Sequence, residues 1–354
     1  MKKVLVINPG STSTKIGVYE DETAVLVETL RHSSEEIAGF KQVADQFGFR
    51  KDVILAVLKK NAVELASLDG VVARGGLFKP IPSGTYAVND AMIVDVQNPA
   101  RGEHASNLGC LIAREIGTDL GIPSFIVDPV VVDELQSLAR YSGLPEIQRV
   151  SIFHALNQKA VARRFAKEQG RAYRDLNLIV VHMGGGISVG AHEKGRVIDV
   201  NNALNGEGPY SPERAGGLPV ADLVKLCFSG KYSEEQMLKR ITGQGGVVAY
   251  LGTNDMMEVE KRAQGGDAMA KLVFEGMAYQ TVKEIGAAAC VLKGQVDQIL
   301  LTGGIVYSKP MMDLIVDKVL FIAPVTLYPG EDELLALAQG GLRVLNGEEA
   351  ALIY

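Results

Sequence analysis

Two runs of continuous apolar residues, one in each half of the chain, predict buried strands that lead into loops of small residues. In the first half, residues 4–7 (VLVI) form such a run, which is typical of a strand buried on both faces. A turn (NPG), four hydroxyl residues and a lysine follow before a second strand begins. Small side chains let the backbone approach an anion, and N–H, hydroxyl and ammonium groups neutralise it. The candidate phosphate-binding residues are Asn8, Gly10, Ser11, Thr12, Ser13 and Lys15.

The alternative for this loop is a polar hairpin turn, and one loop alone would favour that alternative. Its glycine and lysine spacing is not that of a Walker A motif, and a strand is predicted to follow. The pattern returns, however, in the second half. Residues 176–181 predict a strand, 182–188 (HMGGGIS) form a glycine-rich tip, and two more strands are predicted at 189–192 and 196–200.

A second pair of segments also corresponds between the halves. Residues 68–73 predict a strand that leads to Arg74-Gly75-Gly76, and residues 299–301 predict one that leads to Thr302-Gly303-Gly304. We interpret both repeats as a duplication of one α/β unit. The chain is therefore predicted to be an α/β protein with two such domains and a nucleotide between their loops. The predicted domains are residues 1–150, joined by the C-terminal helix 332–354, and residues 151–331.

The remaining pattern is mostly helical. The predicted helices span residues 33–49, 52–65, 105–120, 153–169, 221–228, 233–241, 267–292, 311–320 and 332–345. Between them, residues 201–219 are rich in glycine and proline. Long irregular segments inside compact domains are usually functional or disordered, and the firm elements on both sides favour a functional loop here.

Composition narrows the class of protein. The chain has 354 residues, 47% of them apolar and 22% charged, which indicates globular domains with real cores. Its formal net charge of −6 argues against a nucleic-acid surface. The three cysteines are far apart and indicate neither disulfides nor a zinc site. No apolar run reaches the length of a membrane span and no signal sequence is evident, so we expect a cytoplasmic protein without membrane partners.

Several charged and polar residues are candidates for chemistry. Asp128 follows the predicted strand 123–127, where open α/β sheets carry functional groups, although a turn before proline is an equal alternative. His154 near a helix start has the alternative of a capping or packing residue. Arg74, Arg214 and Lys15 could hold phosphate charge. The cluster Glu331-Asp332-Glu333 could hold a metal, but acids at a helix N-terminus would also explain it.

In order along the chain, the motifs VINPGSTSTK, FHALN, VVHMGGGIS, SPERAGG and LTGGI resemble those of the acetokinase family of carboxylate kinases. The resemblance covers nearly the whole chain. It implies two duplicated ribonuclease H-like domains, the actin-like ATPase fold, with a nucleotide cleft between the domains. It also implies the reaction of ATP and a carboxylate to ADP and an acyl phosphate, with Mg²⁺, in a homodimer or a larger assembly of dimers. The compact length resembles members that act on butyrate more than the longer ones that act on acetate.

The resemblance also implies roles for individual residues. Asn8 matches the asparagine of the first phosphate loop, and Asp128 an aspartate that positions the magnesium–phosphate complex or the acceptor. His154 matches the FH histidine, His182 a histidine at the transferring phosphoryl group, and Arg214 an arginine that stabilises the transition state. The matching nucleotide loops contain Gly184, Gly185, Gly186, Gly303 and Gly304.

Two positions depart from the family pattern. The substrate-binding arginine of the family falls on Val71 here, and Arg74 is the nearest arginine that could replace it. The metal-linked glutamate falls on Asp332, with Glu331 and Glu333 beside it, so the acid that serves the metal stays open. With Asn8, we take Asp332 and Glu331 as the candidate metal ligands.

The chemistry of a carboxylate acceptor fits this set of residues. Such an acceptor is already ionised at neutral pH, so it needs no general base, only cations that reduce repulsion between two anions. Direct in-line transfer is therefore expected. The alternatives are a kinase of the acetate or propionate type, a hydroxyl kinase of the sugar-kinase type, for which Asp128 could be the base, and an ATP switch like actin or Hsp70.

Overall fold

The computed structural model describes residues 1–98 and 104–354, which form two compact units. The first unit contains residues 1–132 and 332–354, and the second contains residues 133–331. Each unit is built around one β-sheet, and we describe the two separately.

The described residues of the first unit form a seven-stranded sheet and five helices. Its strands are β1 Lys3–Pro9, β2 Ser13–Glu20, β3 Thr23–Arg31, β4 Gly70–Arg74, β5 Thr85–Ala87, β6 Ser124–Val127 and β12 Leu352–Ile353. Its helices are α1 Ser34–Ala38, α2 Phe47–Lys60, α3 Asp90–Val96, α4 Asn107–Leu120 and α12 Glu333–Leu345. The strand order is β12-β5-β6-β4-β1-β2-β3. The strands β1 and β2 are antiparallel, whereas β4 is parallel to both β1 and β6.

Helices cover both faces of this sheet, which explains its continuous apolar strands. Gly109 of α4 lies against Ala73 of β4, and Gly341 of α12 lies against Val72. Successive strand residues point to opposite faces, so α4 and α12 pack on opposite sides of β4. The strand is accordingly buried on both faces, as the apolar run predicts.

The second unit holds a five-stranded sheet and seven helices. Its strands are β7 Asn177–Met183, β8 Ile187–Glu193, β9 Arg196–Val200, β10 Gln298–Gly303 and β11 Val325–Pro329. Its helices are α5 Ala155–Glu168, α6 Val220–Cys227, α7 Glu234–Ile241, α8 Gly246–Leu251, α9 Met256–Gln264, α10 Ala268–Val291 and α11 Lys309–Val319. The strand order is β11-β10-β7-β8-β9.

Alternate residues of β7 divide the core of the second unit into two layers. Ile179 and Val181 pack with α10 and α11, whereas Leu178 and Val180 pack with α5. Both layers are fully buried, so this sheet also lies between helices.

The two sheets share one topology. In each, three consecutive strands form an antiparallel meander, and two further strands are added in parallel beside the first strand of the meander. The duplication predicted from the repeated loops is therefore visible in the strand order.

Local predictions differ from the structure in a few places. The helix predicted at 33–49 is wrong, because α1 ends at Ala38 and a separate 3₁₀ turn, Val43–Gln46, precedes α2. The sequence analysis missed β5, α3, α8 and β12, which are short elements held by tertiary contacts. Within the described residues, no helix combines the length and the apolar character needed to cross a membrane.

A glycine pair tests the packing of the first unit. The Cβ of a Gly109→Ala variant would overlap the backbone carbonyl of Arg74, whereas a Cβ at Gly48 in α2 meets nothing within 4 Å. We expect Gly109→Ala to lower the free energy of unfolding by about 1–3 kcal/mol. Gly48→Ala is expected to leave it unchanged or raise it by up to about 1 kcal/mol, because alanine favours a helix. Urea unfolding followed by circular dichroism would compare the two, and equal midpoints would contradict this packing.

Candidate functional site

Three predicted site residues of the first unit lie at neighbouring strand ends. Asn8 is near the end of β1, Arg74 ends β4, and Asp128 directly follows β6. These strands are parallel neighbours, so their carboxyl ends meet at one edge of the sheet. Parallel pairing therefore brings together side chains that are far apart in the sequence.

Glu333, from the first turn of α12, joins two of these residues. The Asn8 amide donates a hydrogen bond from Nδ2 to Oε2 of Glu333 over 2.7 Å. Nη1 of Arg74 lies 3.0 Å from Oε1 of the same carboxylate. The neighbouring Asp332 caps the helix instead, because its Oδ1 accepts a hydrogen bond from the Leu335 N–H. The adjacent acids therefore make different contacts: Glu333 binds Asn8 and Arg74, and Asp332 caps α12.

Asp128 is nearly buried and holds the loop that precedes β5. Its Oδ1 accepts hydrogen bonds from the Ser83 hydroxyl at 2.6 Å and from the Gly84 N–H at 2.8 Å. The backbone of Asp128 has a φ of +37°, a conformation that costs free energy in a non-glycine residue. Such strain is concentrated at functional sites, and here it directs the carboxylate toward residues 83–84.

The loop between β1 and β2 presents its polar side chains outward. Ser11, Thr12 and Lys15 are exposed and Ser13 is half-buried. The turn is closed by a hydrogen bond of 2.7 Å from the Gly10 N–H to the Ser13 carbonyl. The predicted phosphate-binding residues thus form one tight turn whose donors face solvent.

The second unit repeats the arrangement of strand ends. His182 lies near the end of β7 and is paired in register with Thr302 of β10. Gly303 ends β10, and Glu331 follows β11 by two residues. Nε2 of His182 is 3.3 Å from Oε1 of Glu331. The same edge of the second sheet therefore gathers the histidine, a glycine turn and one acid of the cluster.

Two histidines are stacked at this edge. The rings of His154 and His182 are 3.7 Å apart and inclined by only 11°. Nδ1 of His182 is 2.9 Å from Oδ1 of Asn157, one turn further along α5 than His154. The amide oxygen of Asn157 can only accept, so Nδ1 of His182 is the donor in this hydrogen bond.

The glycine turn after β7 lies directly against Arg214. A Cβ at Gly186 would overlap the guanidinium, so only glycine leaves room for this side chain. Nη1 of Arg214 donates to the Ala203 carbonyl over 2.8 Å, and burial lowers the arginine pKa from its usual value. Ser211 holds the same turn through a hydrogen bond of 2.7 Å to the Gly185 carbonyl. A fixed cation therefore lies beside the turn.

The other glycine pair closes the neighbouring strand. Gly303 has a φ of +100°, and a Cβ there would overlap the backbone carbonyl of Met183. The same residue exchanges two backbone hydrogen bonds with Gly330, whereas Gly304 faces open space. Backbone alone therefore separates β10 from the glycine turn after β7.

A buried hydrogen-bond network supports the stacked histidines. Nδ1 of His154 is 2.9 Å from the Ser188 hydroxyl, which also accepts from Nε2 of Gln158. Oε1 of Gln158 then accepts from Nε2 of His192, whose Nδ1 faces the Tyr173 hydroxyl. Burial, followed by the nearby lysine and arginine charges, holds the His192 pKa well below its ordinary value. A neutral His192 can donate from Nε2 to Gln158 and accept at Nδ1 from Tyr173.

A profile of the acetokinase family matches residues 145–322. The chain is 60% identical to butyrate kinase 2 of Clostridium acetobutylicum over 352 residues, 99% of each chain. The chain belongs to the acetokinase family. Its identity to butyrate kinase 1 of the same organism is also 60%, over the full length of both chains.

Solved structures of the acetokinase family show the same fold. An acetate kinase of Porphyromonas gingivalis has a TM-score of 0.82 at 19% identity, covering 98% of this chain and all of the other. A propionate kinase of Francisella tularensis subsp. tularensis has a TM-score of 0.77 at 18% identity, covering 96% and 99%. The predicted actin-like ATPase fold, the kinase activity and the carboxylate as acceptor are confirmed by these relationships, and kinases of this family use ATP and ADP.

Sequence reasoning missed several residues of the site in this acetokinase. In the sequence, Glu333 is one of three consecutive acids, and Asn157 stands out only as part of the FHALN motif. The three-residue spacing from His154 could have identified Asn157, because residues three apart share a helix face. No local signal marks Gln158 or Ser188, which are joined only by the fold.

Asn157 offers a test of how His182 is held. In Asn157→Ala, the ring nitrogen Nδ1 loses its only amide acceptor, so we expect kcat to fall about 10- to 100-fold, as misplacement of a reacting group does. Asn157→Asp keeps an acceptor and should retain more activity. The matched control Asn61→Ala removes an exposed asparagine that bonds only to its own helix. Steady-state kinetics would compare kcat of the variants with that of the unaltered enzyme, after thermal unfolding has shown equal stability. An unchanged kcat in Asn157→Ala would contradict the proposal that Asn157 holds His182.

Proposed function

We propose that this kinase transfers the γ-phosphoryl group of ATP to butyrate, or to a similar short or branched carboxylic acid, to give ADP and an acyl phosphate. The preference for butyrate is supported by the 60% identity, over the whole chain, to two butyrate kinases. The acceptor is ionised at neutral pH, and no base is required. The reaction depends instead on cations placed around the transferring group.

The observation that carries this function is the packing of Arg214 against the glycine turn after β7. Because Gly186 carries no side chain, the guanidinium lies directly against the backbone of that turn, and we assign the turn to a phosphate group of the nucleotide. We assign to Arg214 and to His182 the stabilisation of charge on the phosphoryl group in flight. The stacked ring of His154 restrains His182, and Gly184, Gly185, Gly303 and Gly304 let the nucleotide approach the backbone.

Arg74 is assigned to the carboxylate of the acceptor. Only its Nη1 contacts Glu333, and in the described part of the chain Nε and Nη2 have no acceptor. An arginine with two parallel donors left is suited to bidentate binding of a carboxylate. Asp128 supports the acceptor site indirectly, because it fixes residues 83–84 at the same sheet edge.

Asn8 and Glu333 fit a magnesium ion. Mg²⁺ is commonly held by one or two carboxylates together with substrate phosphates and waters. Among the described residues, no group of three or more His, Cys, Asp or Glu side chains is placed to bind one metal ion, so side chains alone form no complete cage there. We favour Glu333 over Asp332 and Glu331 because Glu333 contacts Asn8, whereas Asp332 caps α12 and Glu331 faces His182. A bound Mg²⁺ would neutralise charge on the phosphates.

Assembly as a homodimer, or as several dimers, and a cytoplasmic location are part of the proposal. The first is supported by exposed apolar side chains on and beside α6 of the second unit. These are Leu218, Val220, Val224 and Phe228. The cytoplasmic location is supported by the use of ATP as the donor.

A series of acids tests the substrate. With ATP, Mg²⁺ and hydroxylamine, we expect hydroxamate formation with acetate, propionate, butyrate, isobutyrate and valerate to peak at four carbons. Each methylene is worth about 1–3 kcal/mol in a pocket, so kcat/KM should change at least about 5-fold per carbon. A peak at acetate would overturn the acyl preference. Release of ADP with a sugar, without hydroxamate from any acid, would overturn the carboxylate acceptor.

Glu333→Gln tests the metal assignment. The change removes the charge but keeps the shape, so we expect the Mg²⁺ concentration for half-maximal rate to rise about 10-fold or more. The matched controls are Asp332→Asn and Glu331→Gln, which alter the neighbouring acids. A Mg²⁺ titration at fixed ATP separates them, and a shift in a control but not in Glu333→Gln would contradict the assignment.

A further inference from the structure

A buried arginine lies beneath the loop that joins β1 to β2. Arg50 projects from α2 and is only 1% exposed, which makes it one of the largest fully buried side chains of the chain. Neither the sequence motifs nor the proposed chemistry gives it a task. Its position under the candidate phosphate loop calls for a physical explanation.

The guanidinium of Arg50 donates to several carbonyls of that loop. Nη1 lies 2.7 Å from the Gly10 carbonyl, 3.2 Å from the Ser13 carbonyl and 3.2 Å from the Thr14 hydroxyl. Nη2 donates to the Ser11 carbonyl at 3.0 Å. Nη2 and Nε both donate to Oε1 of Gln46, at 2.7 and 3.0 Å. One side chain therefore fixes the whole turn from below.

The charge of Arg50 is not balanced by an acid. All its acceptors are neutral, and within the described residues no carboxylate lies within ion-pair distance of it. Burial lowers its pKa, yet a guanidinium stays protonated in proteins. The pKa of His32, which is bonded to Thr14, is also lowered, first by burial and then by the Arg50 charge. An unpaired buried charge is costly, so its presence here calls for a compensating anion.

The direction of the carbonyls determines the direction of the neighbouring amides. In a planar trans peptide, the carbonyl of one residue and the N–H of the next point in opposite directions. The Gly10 and Ser11 carbonyls point to Arg50, so the N–H groups of Ser11 and Thr12 point away from it. Neither N–H has a backbone acceptor in the described part of the chain. Two successive outward N–H groups form a backbone site for an anion.

We propose that Arg50 makes this loop a phosphate receptor, by fixing its N–H groups outward and by placing an uncompensated positive charge beneath the bound anion. Arg50 is thus a positioning residue that touches neither nucleotide nor acceptor. The inference rests on the proposed function, in which residues 10–15 hold a phosphate group. That group is either a phosphate of the nucleotide or the phosphate of the acyl phosphate.

The test compares Arg50→Met, Arg50→Lys and the control Lys59→Met. Lys59 is an exposed cation in the last turn of the same helix, so its loss changes the net charge equally. Titration calorimetry measures the affinities for ADP and for adenosine without any catalysis. The KM for an acyl phosphate is measured in the reverse reaction. Thermal unfolding confirms that each variant is folded. If an Arg50 variant does not fold, Gln46→Leu replaces it, because this change keeps the Arg50 charge but removes the side chain that anchors the guanidinium.

We expect Arg50→Met to weaken ADP binding or raise the KM for acyl phosphate about 10- to 100-fold, with adenosine binding unchanged. A loss confined to ADP assigns the loop to the nucleotide, and a loss confined to the acyl phosphate assigns it to that product. Arg50→Lys should lose less, because it keeps the charge, and only Arg50→Met should flatten the dependence on salt.

Folded Arg50→Met with unchanged affinities for both phosphates would overturn the inference. Equal losses in Arg50→Lys and Arg50→Met, with an unchanged salt dependence, would also overturn it, because they indicate a purely structural role. Failure of the proposed function is a different result, in which the unaltered enzyme yields no hydroxamate from any acid.

Discussion

Parallel pairing of the central strands is the constraint on which the site residues of both units depend. In the first sheet, β1, β4 and β6 end side by side, and these ends carry Asn8, Arg74 and Asp128. In the second sheet, β7 and β10 do the same for His182 and Gly303. A parallel ladder brings every carboxyl end to one edge, so residues at distant positions in the chain become neighbours without specific contacts of their own.

Glycine at these edges lets the cations and the backbone come close together. Gly186 leaves room for the Arg214 guanidinium, and Gly303 leaves room for the carbonyl of Met183. Any Cβ at either position would displace the group that the site needs. Gly186 is therefore required by contact, and Gly303 both by contact and by its backbone conformation.

The polar groups behind each edge are buried and matched in hydrogen bonding. In the second unit, hydrogen bonds join the buried His192 through Gln158 to Ser188 and to the stacked His154. In the first unit, the charge of Arg50 is enclosed by neutral carbonyls. Low local dielectric strengthens such networks and makes each unmatched group costly, so the two units use burial to hold their functional groups rigidly.

The sequence determined the strands other than the short β5 and β12, the two glycine- and hydroxyl-rich loops and their duplication, because apolar runs and turn residues act locally. Its motifs also identified His182, His154 and Arg214 as candidate site residues. Only the tertiary structure decided that Glu333 meets Asn8, 325 residues away, while Asp332 caps the helix. Adjacent residues of a helix point about 100° apart, so neighbouring acids at the start of α12 face different surroundings. The packing of α12 on the sheet determines which of them faces Asn8.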